Sequence, residues 1–217
     1  MLTHAQAKAV YDRFGARQER QVFYEAPAFA ALLRRARWAE ARRVFELGCG
    51  TGNFAATLLA HHLPAQAQYV GMDQSTTMVQ LAAARLAPYR MQGTVLLSDG
   101  AMTLPVADGA LDRVVANYVL DLLSPADICH FIAEARRVLA PNGLLCLISL
   151  TPGDTPASRL VMGLWQQIYQ HNPARVGGCR PLNLRPFLAP AHWQLRHVQT
   201  VTVWGLASEV IIAAPQE

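Results

Sequence analysis

Charge is scarce in this 217-residue chain. Only 16% of its residues are Asp, Glu, Lys or Arg against 52% hydrophobic, a balance that rules against disorder and supplies one sizeable buried core. Cysteines are few and scattered. Cys49, Cys129, Cys146 and Cys179 contain no Cys-x-x-Cys pair, which argues against a zinc site or a disulfide scaffold and fits a reducing cytoplasm, the expected location. No apolar run reaches the roughly 18 residues that span a bilayer; the longest, Gly143 to Leu150, has the length of a strand. Met1 to Val10 is polar and lacks the apolar segment of a signal peptide. The histidines show no ligand spacing, and the adjacent His61 and His62 cannot share a helical face, so no metal is expected. Basic residues gather at Arg34, Arg35, Arg37, Arg42 and Arg43, but no aromatics interleave with them. That pattern reads as a solvated helix face, and no nucleic-acid partner is expected.

What is present is an alternation of helix-period and strand-like segments, the signature of parallel βαβ units. The first forty residues read as helical, with Phe29, Leu32, Leu33 and Ala36 on one face. Strands are expected at Val44–Leu47, Tyr69–Asp73, Thr94–Leu97, Asp112–Asn117 and Leu144–Leu150, with helices between them from Gly52, Ser75 and Ser124. Pro141-Asn142-Gly143 is expected to break the last helix and launch the fifth strand. Two further strands, Leu195–Trp204 and Ser208–Ala213, are separated only by Gly205–Ala207, too short for a parallel crossover, so they must pair as a hairpin. The expected organisation is one domain over 1–217: a helical extension or lid (1–42), a cofactor-binding core (43–150), a substrate-side insertion (151–192) and a closing hairpin (193–217).

The informative segment is Val44-Phe45-Glu46-Leu47-Gly48-Cys49-Gly50-Thr51-Gly52-Asn53. Glycines between a strand and a helix allow a tight turn and close approach of a ligand, and the new helix offers N–H groups to an anionic moiety. A dinucleotide fingerprint wants a third glycine where Asn53 stands, and Glu46 just before the loop would repel a pyrophosphate. The same carboxylate suits the ammonium of an amino-acid moiety, or the loop itself. Asp73 ends the second strand about twenty residues on, where a carboxylate can accept from both ribose hydroxyls; capping the next helix is its alternative role.

This constellation resembles the first motifs of class I S-adenosylmethionine-dependent methyltransferases, in particular the type resembling ubiquinone/menaquinone-biosynthesis enzymes, over about Val44 to Leu150. The resemblance implies an α/β, Rossmann-like seven-stranded mixed sheet of order 3-2-1-4-5-7-6 with strand 7 antiparallel, and S-adenosylmethionine as cofactor. It further implies cofactor contacts from Glu46, Gly48, Cys49, Gly50, Gly52, Asn53, Asp73 and Gln74. Met78 is expected beneath the adenine, or alternatively in the core. Asp99, with Gly100 and Ala101, is expected at the adenine edge, although Asp99-Gly100-Ala101 departs from the commoner Asp-Ala.

Beyond strand four, Asn117 is expected to use its carbonyl on cofactor or substrate and Tyr118 to wall the pocket. Asp121 is the candidate general base, with a helix-start aspartate as the competing reading. Tyr11 and, more weakly, Tyr24 are candidates for a lid, and Trp165, Tyr169 and Arg180 for the substrate side, Arg180 holding an acidic group. The expected reaction is methyl transfer to a small molecule, one with an apolar or aromatic body, and the sequence leaves monomer and homodimer open. Two rivals stand: a nicotinamide-dependent oxidoreductase, disfavoured by Asn53, and a non-catalytic methyltransferase-like binding module, disfavoured by the intact Glu46, Asp73 and Asp99.

Overall fold

A computed structural model describes residues 1–15 and 22–216. Among them are six α-helices and seven strands: α1 (His4–Phe14), α2 (Val22–Arg35), β1 (Arg43–Leu47), α3 (Asn53–His61), β2 (Gln68–Asp73), α4 (Thr76–Leu86), β3 (Gly93–Leu97), β4 (Leu111–Asn117), α5 (Pro125–Val138), β5 (Leu139–Leu150), α6 (Pro156–His171), β6 (Trp193–Val203) and β7 (Leu206–Pro215). The strands form one sheet in the order β3-β2-β1-β4-β5-β7-β6. β1 to β5 run parallel, and β7 pairs antiparallel with β5 and β6. This is the topology the family resemblance implied.

The sheet is buried on both faces, and strand alternation sorts its side chains between two cores. Leu145 and Leu147 of β5 join Phe45, Val114 and Phe131 on one side, while Cys146 and Ile148 join Val44, Val115, Leu32 and Leu58 on the other. Hence β5 reads as continuously apolar. Helix starts follow side-chain caps: the Ser75 hydroxyl accepts from the Met78 amide and the Ser124 hydroxyl from Asp127, with Pro125 in the first turn of α5. Buried Arg113 ties α2 to the sheet by donating to the carbonyls of Ala36 and Arg37.

Several strand boundaries differ from the sequence reading by a residue or two, and two of the differences change a connection. β5 begins at Leu139 rather than Leu144: Leu139 already pairs with Leu111, and the next pair is Leu144 with Arg113, so Pro141-Asn142-Gly143 forms an irregularity within the strand. The hairpin turn is Trp204-Gly205, not Gly205–Ala207. Both residues have positive φ (53° and 83°), the two-residue geometry whose twist matches that of paired strands, and Leu206 already pairs with Val203.

Candidate active site

β1 has β2 on one side and β4 on the other, so chain order reverses beside it and a crevice opens at the carboxyl ends of these strands. Residue parity decides what faces the crevice. Glu46, Tyr69 and Asn117 lie on the same face of β1, β2 and β4, and they meet there: the Tyr69 hydroxyl donates to Glu46 Oε2 (2.5 Å) and Asn117 Nδ2 to Oε1 (3.0 Å). Burial pushes Glu46 up to about 7 despite these two bonds. Asn117 Oδ1 is buried and has no hydrogen-bond partner among the described residues.

The loop after β1 turns on Gly48, Gly50 and Gly52, all at positive φ. A Cβ at Gly48 would also stand 2.7 Å from the Val119 side chain, so the sequence needs glycine there on two counts. The amides of Gly48 and Cys49 donate to the Met72 carbonyl, fastening the loop to β2. Gly52 then caps α3 without any side-chain bond, so the first amides of that helix lack a side-chain acceptor.

Asp73 is both a site residue and a structural one. Its Oδ2 accepts from the Gly50 amide and its Oδ1 from the Ser75 amide (2.9 Å each), and burial raises its pKa. The Ser75 hydroxyl, besides capping α4, donates to Asp12 Oδ1 of α1 (2.6 Å). Lys8 holds the other Asp12 oxygen at 2.7 Å, and these bonds, with Lys8 the largest influence, pull Asp12 down to about 2. His4, from the same helix, stands 3.3 Å from both Asp127 and Gln74. Thus α1 lies across the mouth of the crevice, pinned at both ends. The cavity beneath is lined by Glu46, Gly48, Cys49, Gly50, Asn53, Asp73, Gln74, Asn117 and Tyr118, and from the lid side by Tyr11, Tyr24 and Glu25.

Comparison with known proteins matches this part of the chain. Residues 44–143 fit the family model described as a methyltransferase domain. Over these residues the chain is similar to methyltransferase domains. A demethylmenaquinone methyltransferase of Deinococcus radiodurans is 33% identical over 150 residues, covering 66% of this chain and 58% of that protein. A trans-aconitate 2-methyltransferase of Variovorax paradoxus is 36% identical over 130 residues, covering 60% and 47%. The chain therefore spans about half the length of the curated relatives it matches. Among solved structures, the putative methyltransferase bound to the Trm112 methyltransferase activator of Haloferax volcanii superposes with a TM-score of 0.70 at 16% identity, covering 97% of this chain and 98% of that one, a likeness of fold. The cofactor that the family implies is S-adenosylmethionine.

The fold does not bring every expected residue to the cavity. Met78 is fully buried in the core under α4 and does not line it. Gly52 sits against Ala82 rather than the crevice. Asp99 is exposed and accepts from the Ala101 amide (2.9 Å), and the Gly100 amide donates to Ser98, so this loop satisfies itself; Ser98 and Met102 take its place in the lining.

Asp121 is fully buried in the short 3₁₀ turn Leu120–Leu122. Its Oδ2 lies 3.4 Å from the Leu150 amide, its Oδ1 has no partner among the described residues, and burial raises it to about 7. It lies behind the cavity wall, outside the lining. Arg180, expected to hold an acidic substrate group, is committed to the protein: it donates to the carbonyls of Asp121 (2.9 Å) and Leu123 (2.6 Å). Trp165 Nε1 donates to the Cys179 carbonyl (2.9 Å), and Tyr169 is buried; neither lines the cavity. What the insertion does contribute is buried Cys179, whose sulfur lies 3.7 Å from the Tyr11 hydroxyl and whose thiol is pushed well up by burial.

Glu25, Phe29 and Phe54 are cavity residues that the sequence reading passed over. A signal existed for Glu25: it falls at helical spacing with Phe29 and Leu32, an acid on an apolar face.

Proposed function

We propose that this chain transfers a methyl group from S-adenosylmethionine to a small-molecule acceptor by direct in-line displacement inside the crevice covered by α1. The observation that carries the reading is the orphaned Asn117 Oδ1 beside Glu46, at the end of a glycine loop and level with Asp73. A buried acceptor without a donor, next to a carboxyl raised by burial, fits an ammonium group. The uncapped start of α3 fits a carboxylate, and Asp73 keeps lone pairs free for hydroxyls after accepting two amides. Together these residues match the amino and carboxylate groups of the methionyl end and the ribose of S-adenosylmethionine.

Bound there, the cofactor supplies a methyl already activated by its sulfonium. The chain's own part is alignment and drying. Glu46 and Asn117 fix one end, Asp73 the middle, and Tyr118, with φ of 53°, turns its ring inward and donates to Ser208 (2.8 Å). The lid helix keeps water out, and orientation alone is worth about 7–11 kcal/mol in such reactions.

Calorimetric titration with S-adenosylmethionine, S-adenosylhomocysteine, NAD and NADP tests the reading. Binding of the first two alone is expected, at micromolar strength. Binding of a dinucleotide instead would convert the chain to an oxidoreductase reading, and silence from all four would leave a non-catalytic module.

A further inference from the structure

Glu46 and Asp73, the other two acids lining the cavity among the described residues, are hydrogen-bonded; Glu25 is not. It is 8% exposed, faces the cavity from the first turn of α2, and takes no hydrogen bond or ion pair from any described residue. The described cations of the lining are spent: Lys8 on Asp12, and His4 between Asp127 and Gln74. Aromatic rings share its part of the lining instead. Tyr24 meets Tyr118 edge-on at 5.8 Å, and Phe29 meets Tyr118 at 6.0 Å. A largely buried carboxylate without a partner is disfavoured as an anion, and a cationic ligand would relieve it.

We propose that Glu25, with the rings of Tyr24, Phe29 and Tyr118, is a receptor for a basic amine, and that the nitrogen of this amine is the methyl acceptor. The proposal rests on the methyl-transfer reading above. A carboxylate paired to an ammonium beside ring faces is the arrangement that recognises organic cations, and desolvation strengthens both attractions. A carboxylate substrate would meet like charge here. Burial lifts Glu25 to about 7, and buried Asp121 adds to the rise. The other titratable groups near it, Tyr24, Tyr118 and Cys179, are all raised by burial and stay neutral, while Arg180 offsets Asp121 from the far side. Glu25 is therefore poised to exchange a proton near neutrality. An ammonium has no lone pair; by passing one proton to a Glu25 oxygen it becomes a neutral amine and leaves a neutral carboxyl. The freed nitrogen pair forms the new N–CH₃ bond as the carbon–sulfur pair departs on sulfur, and the product nitrogen carries the positive charge.

The test uses the whole chain, wild type and Glu25→Gln, and begins with S-adenosylhomocysteine alone. The complex is then titrated with 2-phenylethylamine, 2-phenylethanol and 3-phenylpropionate, one aromatic frame bearing a cation, a neutral group or an anion. The amine should bind at least tenfold tighter than the others. Glu25→Gln should remove at least tenfold of that affinity while S-adenosylhomocysteine binds both proteins within twofold, which also reports that the variant is folded. Amine affinity should weaken as pH falls below 7 in the wild type alone. Preference for the alcohol or the carboxylate, no amine binding, or equal amine affinity in the variant would overturn the proposal. So would a fall in S-adenosylhomocysteine affinity in the variant, which would assign Glu25 to the donor. Failure of the wild type to bind S-adenosylhomocysteine, seen before any amine is added, would remove the underlying reading.

Discussion

Replacing Glu46 by Gln should stabilise the unliganded protein, and the gain should depend on pH. The side chain is 2% exposed and titrates at about 7 in the fold, against 4.5 when free. Its folded pKa lies above its unfolded one, so the carboxyl favours the folded state while protonated, and that benefit is lost as pH rises from 4.5 through 7. At 1.36 kcal/mol per pH unit, the raised pKa costs up to about 3 kcal/mol of stability at pH 8, where the carboxyl is ionised, and less than about 1 at pH 5, where the fold holds it protonated. Glutamine keeps the shape, leaves an oxygen to accept from Tyr69 or Asn117, and does not titrate. Urea denaturation at half-unit steps from pH 5 to 8 should show the variant more stable by about 3 kcal/mol at pH 8, with the two proteins converging toward pH 5. In melting temperature the pH 8 difference is roughly 5–10 °C. Glu25 and Asp121 titrate over the same range in both proteins and cancel in the difference. Parallel pH curves for the two proteins would refute the argument, because Glu46 would then ionise in the fold as it does in water. A gain accompanied by weaker cofactor binding would mark the strain as one kept for function.

Asp73→Asn should cost at least tenfold in S-adenosylhomocysteine affinity, the worth of one charge-assisted bond, and lower urea stability by about 1–3 kcal/mol, since its NH2 would face the Gly50 or Ser75 amide; unchanged affinity by calorimetry would end its ribose role. Arg180→Ala should lower urea stability by about 2 kcal/mol, since two carbonyls lose a charged donor. An effect confined to acceptor KM, with stability unchanged, would restore Arg180 to the substrate side.

The sheet was legible because its central strands are mostly apolar on both faces and most crossovers among the first five are helical, and the final hairpin because three residues cannot make a crossover. The glycine loop, Glu46 and Asp73 were legible because their chemistry is local: a turn, a strand end and a helix start lie within a few residues of each other. Where the reading fell short, the deciding partner was distant in sequence. Arg180 reads as a free loop cation until Asp121 and Leu123 are seen to present their carbonyls to it. Asp121 reads as a helix-start acid, yet its 3₁₀ turn tucks it beneath β5, against the Leu150 amide. Glu25 was hidden by its surroundings, an acid in an apolar helix whose neighbours in the fold come from β4 and the insertion. Trp204 shows the reverse case: a bulky residue tolerates positive φ because the strands on either side dictate the turn.

Ser75 has three commitments at once: its amide to Asp73, its hydroxyl to Asp12 of the lid, and the same hydroxyl to the start of α4. One residue thus joins the carboxylate assigned to the ribose and the helix that covers it. By linkage, whatever steadies Asp73 steadies the lid to the same degree, and a loosened lid returns that cost to Asp73. Occupancy and closure are thereby coupled, and of the fastenings on α1 the one through Ser75 is worked from inside the crevice.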